Sequence, residues 1–137
     1  MSEHLDFAKQ KLTSGDFTCV IEHYDKLFTS KERGIKPIMD WLREGGRGGV
    51  CADRVIGKAA AMLLCYGGVR EIYAGVISSH ALDFLSAAGV LAEYGKKVDY
   101  IINRAGDGMC PMETRALSLD TAQTAFELFD ELIQINN

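Results

Sequence analysis

The segment Glu71–Ser78, with the sequence Glu-Ile-Tyr-Ala-Gly-Val-Ile-Ser, constrains the fold of this chain most strongly. It is a β-type run with almost no charge, and helix-forming patterns lie on both sides of it. A strand of this kind is typical of a sheet whose two faces are covered by helices. We therefore predict an α/β fold with a mixed sheet and right-handed crossovers.

Local patterns predict the elements that precede this strand. Residues 2–13 predict a short helix that ends at Gly15 in a left-handed conformation. Residues 17–22 and 27–30 are β-rich around a polar turn over 23–26, which predicts a hairpin. Pro37 can begin a helix because its missing N–H costs nothing in the first turn.

Local patterns also predict the elements in the central and C-terminal parts of the chain. Residues 53–65 are apolar around most of the helical circumference, which predicts a central helix buried on several sides. Beyond residue 78, the sequence predicts a helix capped by Ser79 and a strand over residues 98–103. Asp120 is predicted to cap a final amphipathic helix.

Length and charge limit the classes of function. At 137 residues, the chain fits a single domain over residues 1–137. Its formal net charge is −4 and no Lys or Arg cluster exceeds a pair, so we expect no nucleic-acid partner. Residues 1–12 carry charged side chains and lack the apolar run of a signal peptide or membrane span. We expect a cytoplasmic protein with no membrane partner.

The cysteines are predicted to be free thiols. They stand at positions 19, 51, 65 and 110, and no two of them have the C-x-x-C spacing of structural zinc sites and redox motifs. We therefore predict no metal ligand and no cofactor. A metal held by Cys51, His80 and Cys110 remains an alternative that the spacing does not support.

Asp53, Arg54 and Lys58 form the first candidate site, at the predicted start of the central helix and after a glycine-rich loop over residues 45–49. A helix N-terminus favours an anion. Arg54 and Lys58 would be a like-charge pair on one helical face, which favours a bound phosphate or carboxylate between them. Asp53 has a simpler interpretation as a helix cap.

Two further candidate sites follow predicted strands. Ser79 follows the strand that ends at Ser78, at the edge where open α/β sheets usually bind ligands. The second site lies in the segment after residue 102, where an arginine can hold a carboxylate or phosphate and a cysteine can act as a nucleophile. Its candidate residues are Asn103, Arg104, Cys110 and Glu113. Cys110 is the best nucleophile candidate in the chain, although an inert cysteine in a turn explains it equally well.

Three stretches of the sequence, in this order, resemble an uncharacterised prokaryotic family, the domain of unknown function eighteen ninety-three. The resemblance extends over nearly the whole chain from the hairpin onward and includes Gly34, Ile35 and Pro37. The stretches are Ala52-Asp53-Arg54-Val55-Ile56-Gly57-Lys58-Ala59-Ala60-Ala61, Val76-Ile77-Ser78 with Ala81, and Asn103-Arg104 followed by Gly108-Met109-Cys110-Pro111-Met112-Glu113.

The resemblance implies a cytidine-deaminase-like fold, a three-layer α/β/α sandwich. In zinc deaminases, a histidine or cysteine and a glutamate begin the central helix, and a Pro-Cys-x-x-Cys turn begins the next one. Here Cys51-Ala52-Asp53 superficially mimics the first motif, whereas Ser78-Ser79-His80-Ala81 stands in place of the second. The resemblance therefore implies a fold and a pocket position without zinc-dependent deamination.

Together these features predict a pocket for a small anionic, nucleotide-like ligand. Arg54, Lys58 and Arg104 would supply charge, and Ser79 and Asn103 would supply hydrogen bonds. Cys110, Asp53 and Glu113 would supply any catalysis. The alternatives are a non-catalytic ligand sensor or interaction module and, more weakly, a degenerate zinc hydrolase that uses Cys51, His80 or Cys110. Self-association is compatible with this fold class.

Overall fold

A five-stranded mixed sheet organises the chain in the computed structural model, which describes residues 2–24 and 26–136. The strand order is β2-β1-β3-β4-β5. Strand β1 pairs antiparallel with β2 and β3, whereas β3, β4 and β5 are mutually parallel neighbours. The elements are α1 (Glu3–Ser14), β1 (Cys19–His23), β2 (Lys26–Ser30), α2 (Lys36–Arg43), β3 (Val50–Ile56), α3 (Lys58–Tyr66), β4 (Glu71–Ser78), α4 (Ser79–Ala87), β5 (Leu91–Val98), α5 (Pro111–Ala116) and α6 (Ala122–Asn136).

The two faces of the sheet carry separate hydrophobic clusters, because side chains alternate along a strand. Val20, Val50 and Ala52 on one face pack with the buried side of α1. The larger cluster on the other face includes Ile21 and Ile72 and packs with α2, α3, α4 and α6. No described helix has both the length and the apolar character needed to cross a bilayer.

The structure confirms the α/β class and most of the predicted elements. The hairpin, the helix at Pro37, the strand Glu71–Ser78, the helix α4 and the final helix α6 form near the predicted positions. Gly15 ends α1 with an extended φ of −99° rather than the predicted left-handed one. Asp25, which we placed in the hairpin turn, lies outside the described residues.

The predicted central helix over 53–65 is wrong in its first part. Residues Val50–Ile56 form β3, and the helix begins only at Lys58. A short apolar run is equally compatible with a strand and a buried helix, so its neighbours decide between them. Here β3 pairs with β1 on one side and β4 on the other, and this pairing satisfies its backbone.

The predicted strand over 98–103 is also wrong, because the fifth strand is Leu91–Val98. This strand lies at the edge of the sheet and exposes most of its residues, including Lys96 and Lys97. Charged side chains are typical of edge strands, where they hinder pairing with another chain. The strand therefore lacks the apolar run on which the prediction of a strand depended, and the sequence predicted neither this strand nor the short helix α5.

Thr121, and not the predicted Asp120, caps α6. The Thr121 hydroxyl oxygen accepts a hydrogen bond from the Thr124 N–H at 3.2 Å. We expect Thr121→Ala to lower the free energy of unfolding by about 1 kcal/mol, as for other lost N-caps. Asp120→Ala is the matched control and should lower the free energy of unfolding by only about 0.3 kcal/mol. Urea denaturation of both variants would measure the two losses. A larger loss for Asp120→Ala would contradict the assignment.

Candidate functional site

A pocket of about 820 Å³ lies at the carboxyl end of β3. Its walls come from the segment before α2, the end of β3, the first turn of α3, and the loop and helix start over residues 101–113. The lining includes six of the residues singled out in the sequence, namely Asp53, Arg54, Asn103, Arg104, Cys110 and Glu113. Lys58 and Ser79 are not among the lining residues.

Asp53 is the buried polar group of this pocket. It lies on β3 directly opposite Cys19 of β1 and is 6 % exposed. Its Oδ1 accepts a hydrogen bond from the Val55 N–H at 3.1 Å. Burial raises the pKa of the Asp53 carboxyl to about 7, although hydrogen bonds such as the one from Val55 oppose the shift. Asp53 is a strand residue and therefore does not act as the cap of the central helix.

Cys19 and Cys51 lie beside Asp53. Both cysteines are fully buried, and their Sγ atoms and a carboxylate oxygen of Asp53 all lie within 4.8 Å of one another. This is the one cluster of at least three potential metal ligands among the described residues. Cys51, His80 and Cys110, which the sequence left open as a metal site, are not brought together in this part of the chain.

Arg54 and Lys58 do not form the expected pair on one helical face, because Arg54 lies on β3 and Lys58 begins α3. The Arg54 guanidinium donates from Nε to the Phe17 carbonyl at 2.6 Å and from Nη2 to the Leu12 carbonyl at 3.1 Å. Lys58 Nζ donates to the carbonyls of Leu117 and Leu119 at 3.3 and 2.9 Å. Both cations therefore bind backbone carbonyls, and no anion is required between them.

Glu113 is 1 % exposed and joins three segments of the chain. Its Oε1 accepts hydrogen bonds from the Ser78 hydroxyl at 2.5 Å and from the Lys58 N–H at 2.9 Å. Its Oε2 accepts the Ile101 N–H. We call this set of four residues the Glu113 cluster. Because these donors occupy the carboxylate, its main role in the described structure is to hold α3, α4 and α5 together.

Gly57 and Ser78 explain how Glu113 reaches this position. A Cβ on Gly57 would lie 3.3 Å from Glu113 Oε1, so the absence of a side chain at Gly57 permits the close approach of the Glu113 carboxyl. Ser78, and not the predicted Ser79, is the N-cap of α4, since its hydroxyl also accepts the Ala81 N–H at 3.1 Å. Ser79 instead donates to the Val98 carbonyl at 3.2 Å.

The mouth of the pocket carries more polar groups. Asn103 orders the loop that follows β5: its Oδ1 accepts the Gly106 N–H at 2.8 Å and its Nδ2 donates to Asp107 at 2.9 Å. Arg104 is exposed on this loop, and Arg33 is exposed on the segment before α2. Cys110 is half-buried directly before α5. Arg33 is not among the predicted site residues, because its position beside Gly34 carries no sequence sign of a site.

The fold and the pocket together define a class of protein: a mixed-sheet α/β domain with an open small-molecule-sized pocket at the carboxyl end of its first parallel strand. The chain belongs to the TM1506 family, a domain of unknown function (DUF1893), whose family model matches residues 7–133. The family resemblance seen in the sequence is therefore confirmed.

The solved structure of a DUF1893 family protein (TM1506) from Thermotoga maritima is similar to this chain. The two are 25 % identical, with a TM-score of 0.87, and the match covers 96 % of this chain and 91 % of the other. No curated protein matches the chain. The comparisons thus show the family and its fold, and the family name assigns no activity.

Proposed function

We propose that this protein binds a small anionic, nucleotide-like ligand in the pocket at the end of β3. One observation carries the proposal: a buried carboxyl, Asp53, lies in a largely apolar wall, while two exposed arginines lie at the mouth. Sites for small molecules are typically apolar cavities of about 300–1,000 Å³ with a few converging polar groups, and this pocket has that size and character.

The apolar part of the pocket suits a flat ring. Its walls include Ile35, Pro37, Ala59, Ala60 and Met112, which offer no hydrogen bonds from their side chains. A heterocycle with N–H groups on one edge would satisfy the Asp53 carboxyl while its faces contact these side chains. Asp53 would therefore select the ring of the ligand.

The anionic part of the ligand would bind at the mouth. Arg33 and Arg104 carry guanidinium groups that can hold a phosphate or carboxylate through paired hydrogen bonds. These two residues replace Arg54 and Lys58 in the proposal, because backbone carbonyls occupy the latter two. Ser79 and Glu113 are also left out, since each is bonded within the protein.

We further propose that the domain is a three-layer α/β/α sandwich of the cytidine-deaminase-like kind. The packing of α1 on one face of the sheet and of α2, α3, α4 and α6 on the other supports this assignment. Ordinary zinc-dependent deamination is not part of the proposal, because Cys51-Ala52-Asp53 lies on a strand and not at a helix start.

Cys110 distinguishes an enzyme from a ligand sensor. It is half-buried and lines the same pocket, so its thiol would lie beside a bound ligand. A covalent adduct on Cys110 after incubation with ligand, detected by mass spectrometry, would support catalysis. Ligand binding with neither turnover nor an adduct would favour the non-catalytic sensor, and turnover that is unchanged in Cys110→Ser would exclude Cys110 as the nucleophile.

The binding proposal is tested by titrating metal-free protein with nucleoside monophosphates, the matching nucleosides and inorganic phosphate in a calorimeter. We expect monophosphates to bind and the double variant Arg33→Ala/Arg104→Ala to lose at least about tenfold in affinity, since a charge-assisted hydrogen bond contributes roughly 1.5–3 kcal/mol. Asp53→Asn should change the preference among bases. Arg115→Ala, an exposed arginine outside the pocket, is the control.

Two results would reject the proposal. One is the absence of binding by every monophosphate. The other is binding that the pocket variants and the Arg115→Ala control affect equally. Equal affinity for nucleosides and monophosphates would reject only the role of Arg33 and Arg104 in binding the anion. The proposal that the pocket binds the ring would stand.

A further inference from the structure

Strands β1 and β3 bring two thiols and a carboxyl to one point beneath the pocket. Cys19 is the cross-strand partner of Asp53, and Cys51 precedes Asp53 by two residues on the same face of β3. Their potential ligand atoms all lie within 4.8 Å of one another. We propose that Cys19, Cys51 and Asp53 bind a divalent zinc-type metal ion, with an open fourth position toward the pocket.

The spacing suits a shared ion. In tetrahedral zinc sites with Zn–S bonds of about 2.3 Å and Zn–O bonds of about 2.0–2.2 Å, the ligand atoms are roughly 3.4–3.8 Å apart. The ligand atoms of the three groups lie within 4.8 Å of one another, so side-chain movements of about 1 Å or less would bring them into this range. Thiolates are soft ligands that select zinc over magnesium or calcium.

The strand register argues against a simple disulfide. Cys51 pairs with Ile21, so Cys19 and Cys51 are diagonal neighbours across the two strands. Diagonal neighbours in an antiparallel pair are about 7–8 Å apart at Cα, at or beyond the usual reach of a disulfide. A metal ion can bridge such a pair without backbone movement.

The burial of the three side chains leaves one side of the site open to the pocket. Cys19 and Cys51 are fully buried, whereas Asp53 is 6 % exposed and lines the pocket. Three protein ligands with one open position are typical of catalytic rather than structural zinc sites. The fourth position would thus take a water molecule or a donor atom of a pocket ligand.

This site differs from both metal hypotheses based on the sequence. It uses strand residues, unlike the zinc motifs at helix starts in deaminases, and it includes Cys19, which the sequence did not single out. It also departs from our prediction of no metal. The inference does not depend on the proposed nucleotide-like ligand, because it rests on the three side chains alone.

Cobalt(II) is the probe for the first experiment. Protein that has been treated with a chelator and a reductant is titrated with Co²⁺ in a spectrophotometer, and Zn²⁺ is then added. We expect thiolate-to-cobalt charge-transfer bands and visible bands of a tetrahedral ion that saturate at one equivalent, and we expect Zn²⁺ to remove them.

The variants assign the ligands. Cys19→Ser and Cys51→Ser should each weaken Zn²⁺ binding by at least about a hundredfold, because each removes one of three protein ligands. Cys65→Ser and Cys110→Ser, which change thiols outside the cluster, should bind like the original chain. Circular dichroism verifies that each variant is folded. Asp53→Asn keeps both buried thiols and should retain the charge-transfer bands with reduced affinity.

A second measurement needs no variant. Mass spectrometry after alkylation in mild denaturant should show that Zn²⁺ protects Cys19 and Cys51 and not Cys65. The proposal is overturned if Co²⁺ gives no thiolate band, or if the band disappears in Cys65→Ser or Cys110→Ser. Nucleotide titrations in the presence of chelator separate the two proposals, since their outcome does not require the metal.

Discussion

Glu113→Ala is expected to lower the free energy of unfolding by about 3–5 kcal/mol, which is a large part of the stability of a small domain. The substitution would leave three donors of the Glu113 cluster without their acceptor: the Ser78 hydroxyl and the N–H groups of Lys58 and Ile101. The carboxylate is 1 % exposed, so water replaces it poorly. Urea denaturation followed by circular dichroism measures the loss.

Two companion variants separate the hydrogen bonds from other effects. Glu113→Gln keeps the shape and one carbonyl acceptor, so it should lose roughly half as much stability as Glu113→Ala. Glu131→Ala, an exposed glutamate on α6, is the control and should remain within about 0.5 kcal/mol of the original chain. Equal losses for Glu113→Ala and Glu131→Ala would show that the cluster does not hold the helices together.

Asp53 should make the stability of the metal-free protein depend on pH. Burial raises the pKa of its carboxyl from 3.8 to about 7, so the folded state holds this proton more tightly than the unfolded state does. The stabilisation from this tighter proton binding is complete below the pKa that Asp53 has in the unfolded state. It is lost as the pH rises through the pKa that Asp53 has in the folded state. Between pH 5 and pH 8, we expect the free energy of unfolding to fall by roughly 2–3 kcal/mol from this group alone.

Asp53→Asn removes this ionisation and should flatten the profile over the same range. The measurement is urea denaturation at several pH values in the presence of a chelator, for the original chain and the variant. Asp83→Asn, which changes an exposed aspartate on α4, should keep the original slope. If the free energy of unfolding of Asp53→Asn fell with pH as steeply as that of the original chain, the ionisation of Asp53 would not be the cause of the pH dependence.

The candidate site was only partly predictable from the sequence. Asn103, Arg104 and Cys110 follow the predicted strand region closely enough that their place in a pocket could be expected, and all three line it. Arg54 and Lys58 carried the right charge for an anion site, yet both bind backbone carbonyls distant in sequence. Local pattern cannot reveal such partners, because they depend on which segments meet in space.

Cys19 shows the same limit most clearly. Nothing near Cys19 in the sequence suggests a site. It is a candidate metal ligand only because the register of β1 against β3 places it opposite Asp53. A shift of one residue would move it to the other face of the sheet. The position of the thiol is therefore a property of strand pairing.

The sequence by itself determined the α/β class, the buried strand Glu71–Ser78, the helix at Pro37 and the amphipathic α6, because each follows from a short-range pattern of apolar side chains or backbone chemistry. The tertiary structure alone decided that Val50–Ile56 is a strand, that Leu91–Val98 forms the sheet edge, and that Glu113 binds three segments. In each of these cases the local pattern is ambiguous, and hydrogen bonds to residues remote in sequence select the outcome.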